Sequence, residues 1–131
     1  MKLPERIQRK RTKGWKQPES TCYCGRGSKW GNPYIVGKYL NSYGLAMLAI
    51  IMNKADDYNY SDYRKKYKEL ENKGKITLEE SLYYYELWLD WQIKSYNLHL
   101  KELLKYDYLS CWCPLDQKCH VDILIEKLKE L

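Results

Sequence analysis

The chain has 131 residues, with 14 Tyr and 5 Trp but no Phe, and a net charge of +6. Hydrophobic residues make up 44% of it, which excludes a disordered chain and is enough for one domain with a core. No stretch approaches the roughly 18 consecutive apolar residues of a membrane span, and no apolar run follows the basic N-terminus as a secretory signal requires.

Residues 1–20 hold seven lysines and arginines against Glu5 and Glu19, so +5 of the net charge lies there and +1 over the rest. Pro4, Gly14 and Pro18 interrupt any helix, so this segment reads as an extended arm or a first strand. With Ile7 to Lys13 extended, Arg9 and Arg11 fall on one face, and two guanidiniums side by side suit a diphosphate. A solvated basic tail is the alternative, and a nucleic-acid arm is a third reading.

Thr21 to Cys24 is a short strand-like run. It opens into Gly25-Arg26-Gly27-Ser28-Lys29-Trp30-Gly31-Asn32-Pro33, with three glycines, two cations, an aromatic residue and an Asn-Pro turn in nine residues. Glycines let backbone N–H groups approach a ligand, and Arg and Lys favour an anionic one. The spacing is neither a Walker loop nor GxGxxG. Arg26 and Ser28 are read as binding residues, and Trp30 either stacks on a base or packs under the loop. Tyr34-Ile35-Val36 is a further candidate strand.

Asn41 or Ser42 can cap a helix over about 43–53 that is apolar almost all round and so expected to be buried. Tyr60, Tyr63, Tyr67 and Leu70 recur at helical spacing, predicting a helix over 61–72 that Gly74 ends. Thr77-Leu78-Glu79-Glu80 is a capping-box pattern. The apolar series from Leu78 to Leu103 predicts one long helix near 77–105, a rod of roughly 40 Å that either protrudes toward a second subunit in a homo-oligomer or breaks around the core. Tyr108 to Cys113 reads as a strand stopped by Pro114, and Asp116 can cap a last helix with Val121, Leu124, Ile125, Leu128 and Leu131 on its buried face. Strands alternating with helices predict an α/β fold, a small, partly parallel sheet flanked by helices. The chain reads as a single domain: a basic arm over 1–20, the glycine-loop region over 21–36, a helical middle over 37–105, and the Cys-Trp-Cys strand with the last helix over 106–131.

Cys111-Trp112-Cys113-Pro114 and Cys119-His120 form a second constellation. Three thiols and an imidazole would make a zinc set, with Cys22 and Cys24 as spare candidates. A Cys-x-Cys pair in a strand, however, splays its sulfurs poorly onto one ion, so Cys111 and Cys113 are read as buried small residues, with no metal and no cofactor. Cys119 stands near a helix N-terminus, where the macrodipole lowers a thiol pKa. With His120 and Asp122 beside it, an acid–base or nucleophilic role is available if the protein is an enzyme; otherwise His120 is read as a ligand contact. Five cysteines, an odd number in a chain unlike a small secreted scaffold, point to reduced thiols in a cytoplasm.

The arginine-rich arm, Gly14-Trp15-Lys16, the glycine loop, and the late Leu109-Ser110-Cys111-Trp112-Cys113-Pro114 with Cys119-His120 and Asp122 together resemble domain-of-unknown-function family 4326, which is common in bacteriophage genomes. The resemblance implies a pocket shared by Arg9, Arg11, Gly14, Trp15, Lys16, the 25–33 loop (Gly25, Arg26, Gly27, Ser28, Trp30, Gly31 and Asn32 among its contacts) and the segment from Cys111 to Asp122, His120 included. It supplies no established reaction. The chain departs from the family pattern at Lys105-Tyr106-Asp107-Tyr108, where Arg-Gly-Lys-Asp is usual, and at Cys22 and Cys24, where β-branched residues are usual. The expected function is binding of a nucleotide-derived anion. A phage setting suggests sequestration of a host immune signal such as an ADP-ribose derivative or cyclic nucleotide. An enzyme acting on nucleotides or nucleosides, and a nucleic-acid adaptor, are the alternatives.

Overall fold

Strand β1 (Glu5–Gln8) forms inside the basic arm, directly after the buried Pro4. Strand β2 (Thr21–Tyr23) follows Ser20, and strand β3 (Tyr108–Cys111) lies between the two, giving the order β1-β3-β2. Both pairings are parallel, with Arg6 opposite Leu109 on one side and Cys22 opposite Leu109 on the other. The architecture is a small α/β fold on a three-stranded, wholly parallel sheet. This is a computed structural model that describes residues 2–53 and 60–131; the middle of the polar stretch between the first two helices, 54–59, lies outside them.

The chain divides into two compact units, one of residues 1–32 and 98–131 and the other of residues 33–97. The terminal unit holds the sheet, a 3-10 helix (Leu100–Lys105) and the last helix, α4 (His120–Lys129). Both faces of the central strand are covered. Leu109 and Cys111 are buried on one, and Ser110 on the other donates its hydroxyl to Gln17 Oε1 at 2.9 Å. Val121, Ile123, Leu124 and Leu128 form the buried side of α4, whereas Leu131 is exposed. Helix α4 starts at His120 with Cys119 as its N-cap residue, not at Asp116. Residues 114–117 instead make a turn closed by the Gln117 N–H on the Pro114 carbonyl.

The middle unit is helical: α1 (Ser42–Met52), α2 (Tyr60–Asn72) and α3 (Leu78–Ser95). Asn41 caps α1 through its side chain, which accepts from the Gly44 N–H at 2.7 Å. Leu45, Leu48, Ala49, Leu70, Ile76 and Tyr84 build the core with Tyr34, and Tyr63, Tyr67 and Trp88 pack on its margin. Two expectations fail here. Helix α1 is buried on one side only, since Ile50 is 44% exposed. The run 34–36 is no strand: its backbone groups pair elsewhere, with the Tyr34 carbonyl accepting from Ser81 Oγ and the Ile35 carbonyl from the Lys38 N–H in a turn through Gly37.

The long helix is also cut. α3 ends at Ser95, and Asn97 takes a left-handed φ of 51°, a conformation Asn tolerates better than most residues. Leu100 and Leu103 keep the apolar period but are buried from a 3-10 helix. The continuous rod on which subunit pairing was argued does not exist.

Candidate functional site

Parallel strands deliver their carboxyl ends to one edge, where α/β folds usually place ligands. Here those ends are Gln8, Tyr23 and Cys111. The backbone continues in register one step further, with the Arg9 N–H on the Cys111 carbonyl at 2.7 Å and the Cys24 N–H on the Ser110 carbonyl at 2.8 Å. Arg9, Cys24 and Trp112 therefore follow directly on their strands at this edge.

Arg9 and Arg11 converge there. The Arg9 guanidinium carbon lies 4.9 Å from the Tyr23 ring centre and 5.1 Å from that of Trp112, and Arg11 lies 4.8 Å from Trp112. Aromatic faces hold cations without supplying a counter-charge. The Nε of Arg9 is buried and has no hydrogen-bond partner among the described residues. Trp112 lies in the segment from Cys111 to Asp122 that the family resemblance places at the pocket, whereas neither Trp112 nor Tyr23 is named there as a binding residue. The signal available was their place at the carboxyl ends of two predicted strands.

The glycine loop serves itself more than a ligand. Ser28 donates both its N–H and its hydroxyl to the Gly25 carbonyl, at 3.1 and 2.7 Å, and the Gly31 N–H donates to the Ser28 carbonyl at 3.1 Å. Two amides expected to cradle an anion are thus turned inward, and Ser28 closes a turn. Gly25 and Gly31 are small for packing: a Cβ on Gly31 would stand 2.5 Å from the Gly25 carbonyl oxygen, and one on Gly25 would run into the Tyr23 ring. Trp30 is 2% exposed, which places its ring under the loop and away from any base. Lys29 pairs with Glu102, whose carboxyl it holds below the usual range. Arg26 and Gly27 at the tip are exposed, and Asn32 is half-buried at the loop exit. Gly14 (φ 86°) turns the chain so that the Trp15 N–H meets the Thr12 carbonyl, leaving Trp15 half-buried and Lys16 exposed.

The three residues offered for catalysis are engaged in structure. His120 is buried, and its Nε2 lies 2.6 Å from the Cys24 carbonyl. A carbonyl only accepts, so Nε2 carries the proton, and burial lowers the imidazole pKa and favours the neutral ring. With Nδ1 then unprotonated, the imidazole can only accept in its contact with Cys119 Sγ, 3.5 Å away. Asp122 Oδ2 accepts from Arg6 Nη1 at 2.6 Å and from the Cys119 N–H at 2.9 Å. Cys119 does not have the lowered pKa expected at a helix end: its contacts with Cys111 and Cys113, and burial, push it up. Of these neighbouring thiols Cys113, hydrogen-bonded by Cys111 and Cys119, is the one held low, and Cys111 is pushed up to about 11.

The objection to the Cys-x-Cys pair is also overturned. Strand β3 stops at Cys111 and the chain turns, so Cys113 is no longer a strand residue two positions on. The sulfurs of Cys111, Cys113 and Cys119 lie within 4.8 Å of one another. Cys22 and Cys24 stand apart from that group. Two clefts of the middle unit, one lined by Tyr34, Lys38 and Tyr43 and one by Tyr63, Tyr67 and Glu71, contain none of the residues expected to bind.

No curated protein and no solved structure matches the chain significantly. The family profile described as Domain of unknown function (DUF4326) matches residues 7–130, nearly the whole length, and the chain belongs to that family.

Proposed function

We propose that the protein binds a nucleotide-derived anionic small molecule at the carboxyl edge of its sheet, and that it acts by holding this ligand and not by transforming it. The observation that carries the reading is the pair of guanidiniums, Arg9 and Arg11, held on the Trp112 indole, with Arg9 also over Tyr23. Side chains ordered before binding lose less entropy on capture, and guanidiniums match phosphate oxygens two at a time. The buried Arg9 Nε, without a hydrogen-bond partner among the described residues, is consistent with a donor that a ligand completes. The exposed Arg26 extends the same positive charge.

The holding role is favoured because His120, Cys119 and Asp122 are occupied by Cys24, the neighbouring thiols and Arg6. Sequestration of a signalling nucleotide, an ADP-ribose derivative or cyclic nucleotide, is the use that follows.

Thermal-shift screening against ADP-ribose derivatives, cyclic nucleotides and nucleoside diphosphates tests the binding, because a saturating ligand raises Tm by mass action. Calorimetry on the hit should show Arg9→Ala and Arg11→Ala each losing about tenfold or more in affinity, the scale of one charge-assisted hydrogen bond. Heat release should return the ligand unchanged. A panel without any shift, or full affinity in both variants, removes the reading; a cleaved product turns it toward the enzyme.

A further inference from the structure

The Cys111, Cys113 and Cys119 cluster has no part in the anion site, and its geometry is that of a metal site. In a tetrahedral thiolate site with zinc–sulfur bonds of about 2.3 Å, sulfurs stand about 3.8 Å apart. The three sulfurs here lie within 4.8 Å of one another, and those of Cys111 and Cys119 are 3.1 Å apart, so movements of under about an ångström would bring all three onto one ion. All three are free thiols; Cys111 and Cys119 are buried and Cys113 is half-buried.

The surroundings hold the cluster in place. The Arg6 side chain, 7% exposed, donates to the Pro114 carbonyl at 2.7 Å and to Asp122 Oδ2 at 2.6 Å. Asp122 Oδ2 in turn accepts from the Cys119 N–H at 2.9 Å. One guanidinium therefore ties the turn after Cys113 to the helix start at Cys119. Outer contacts of this kind orient ligands and hold a site open for its ion.

We propose that Cys111, Cys113 and Cys119 bind one zinc ion, with a fourth coordination position open on the half-buried Cys113 side. Loading forms three zinc–sulfur bonds, and each sulfur that still carries a proton releases it to solvent, with no change of oxidation state. Three protein ligands and an exchangeable fourth are the pattern of sites that take water or a ligand atom onto the metal.

The test uses the full-length, reduced, metal-free chain and the metal alone, so its outcome is independent of whether any nucleotide binds. Titration with Zn²⁺ under native mass spectrometry should add one ion per chain. Titration with Co²⁺ should give thiolate-to-cobalt charge transfer and the intense visible bands of a tetrahedral ion, and added imidazole should shift those bands by taking the fourth position. Cys113→Ser, a conservative change at a half-buried position, should weaken Co²⁺ binding by about 100-fold or more, while Cys22→Ser leaves it unchanged. Circular dichroism checks that both variants fold. No ion retained at one equivalent, equal binding in Cys113→Ser, or a Cys111–Cys119 disulfide as the only product overturns the metal site; bands unmoved by imidazole overturn the open position.

Discussion

Gly31 and Gly27 show how one motif carries two kinds of glycine. A methyl group on Gly31 meets backbone at 2.5 Å, so Gly31→Ala should destabilise by about 1–3 kcal/mol, the usual cost of overpacking. Gly27, at φ 93° with nothing within 4 Å, should cost only the left-handed strain of about 1–2 kcal/mol as Ala. Urea unfolding of the two variants separates packing from conformation; a stable Gly31→Ala would show that the loop does not close on itself. Asp122 is the second residue-scale case. Its partner Arg6 is nearly buried, but Asp122 itself is 38% exposed, so Asp122→Asn should cost about 1–3 kcal/mol in urea unfolding, short of a fully buried pair. The sequence displayed these residues but not their partners. Asp122 looked catalytic beside Cys119 and His120 because its bond to Arg6 spans most of the chain.

Helix α3 opens with Thr77 accepting from the Glu80 N–H at 3.1 Å and Glu80 accepting from the Thr77 N–H at 2.9 Å. Thr77→Ala should cost about 1 kcal/mol, read as a lower Tm. Lys73 adds an ion pair to Glu80 and lowers its pKa. A carboxyl lowered on folding stabilises above its ordinary 4.5, and that contribution disappears as pH falls through the folded value. Lys73, raised by Glu80 and then Tyr84, stabilises below its ordinary 10.5 and loses this as pH climbs through its own folded value. Glu80→Gln should therefore flatten the acid limb of a Tm-against-pH curve below 4.5; an unchanged limb would dismiss the pair as a contributor. This cap was legible because its residues are three apart, and the periods of α2 and α3 were legible for the same local reason. The ends of elements were less so. Asn97 breaks a periodic run whose leucines remain buried on both sides of the break, so periodicity alone could not show the interruption.

Over the whole molecule, the basic arm is not a free tail. Arg6 is paired with Asp122, and Arg9 and the exposed Arg11 lie on aromatic rings, which leaves Lys2, Lys10, Lys13 and Lys16 as the exposed lysines of the arm. Duplex DNA should bind no better than the non-specific range of about 10⁻⁴ to 10⁻⁶ M at physiological salt, measured by fluorescence anisotropy; binding tighter than about 10⁻⁶ M under those conditions would restore the adaptor reading. The sequence by itself determined where α1 and α2 lie, the start and cap of α3, the short strands near Thr21 and at Tyr108–Cys111, and the α/β class, because period, capping and turn chemistry act between near neighbours. Only the tertiary structure decided that Arg9 and Arg11 rest on Trp112, that Ser28 and Trp30 serve the loop and its core, and that three cysteines meet. The first depends on the parallel pairing of β1 and β2 with β3, contacts between residues some 85 to 105 positions apart that no local pattern encodes, whereas the Ser28–Gly25 and Cys111–Cys119 contacts are close in sequence and depend on how the chain turns between them, which residue spacing alone does not show.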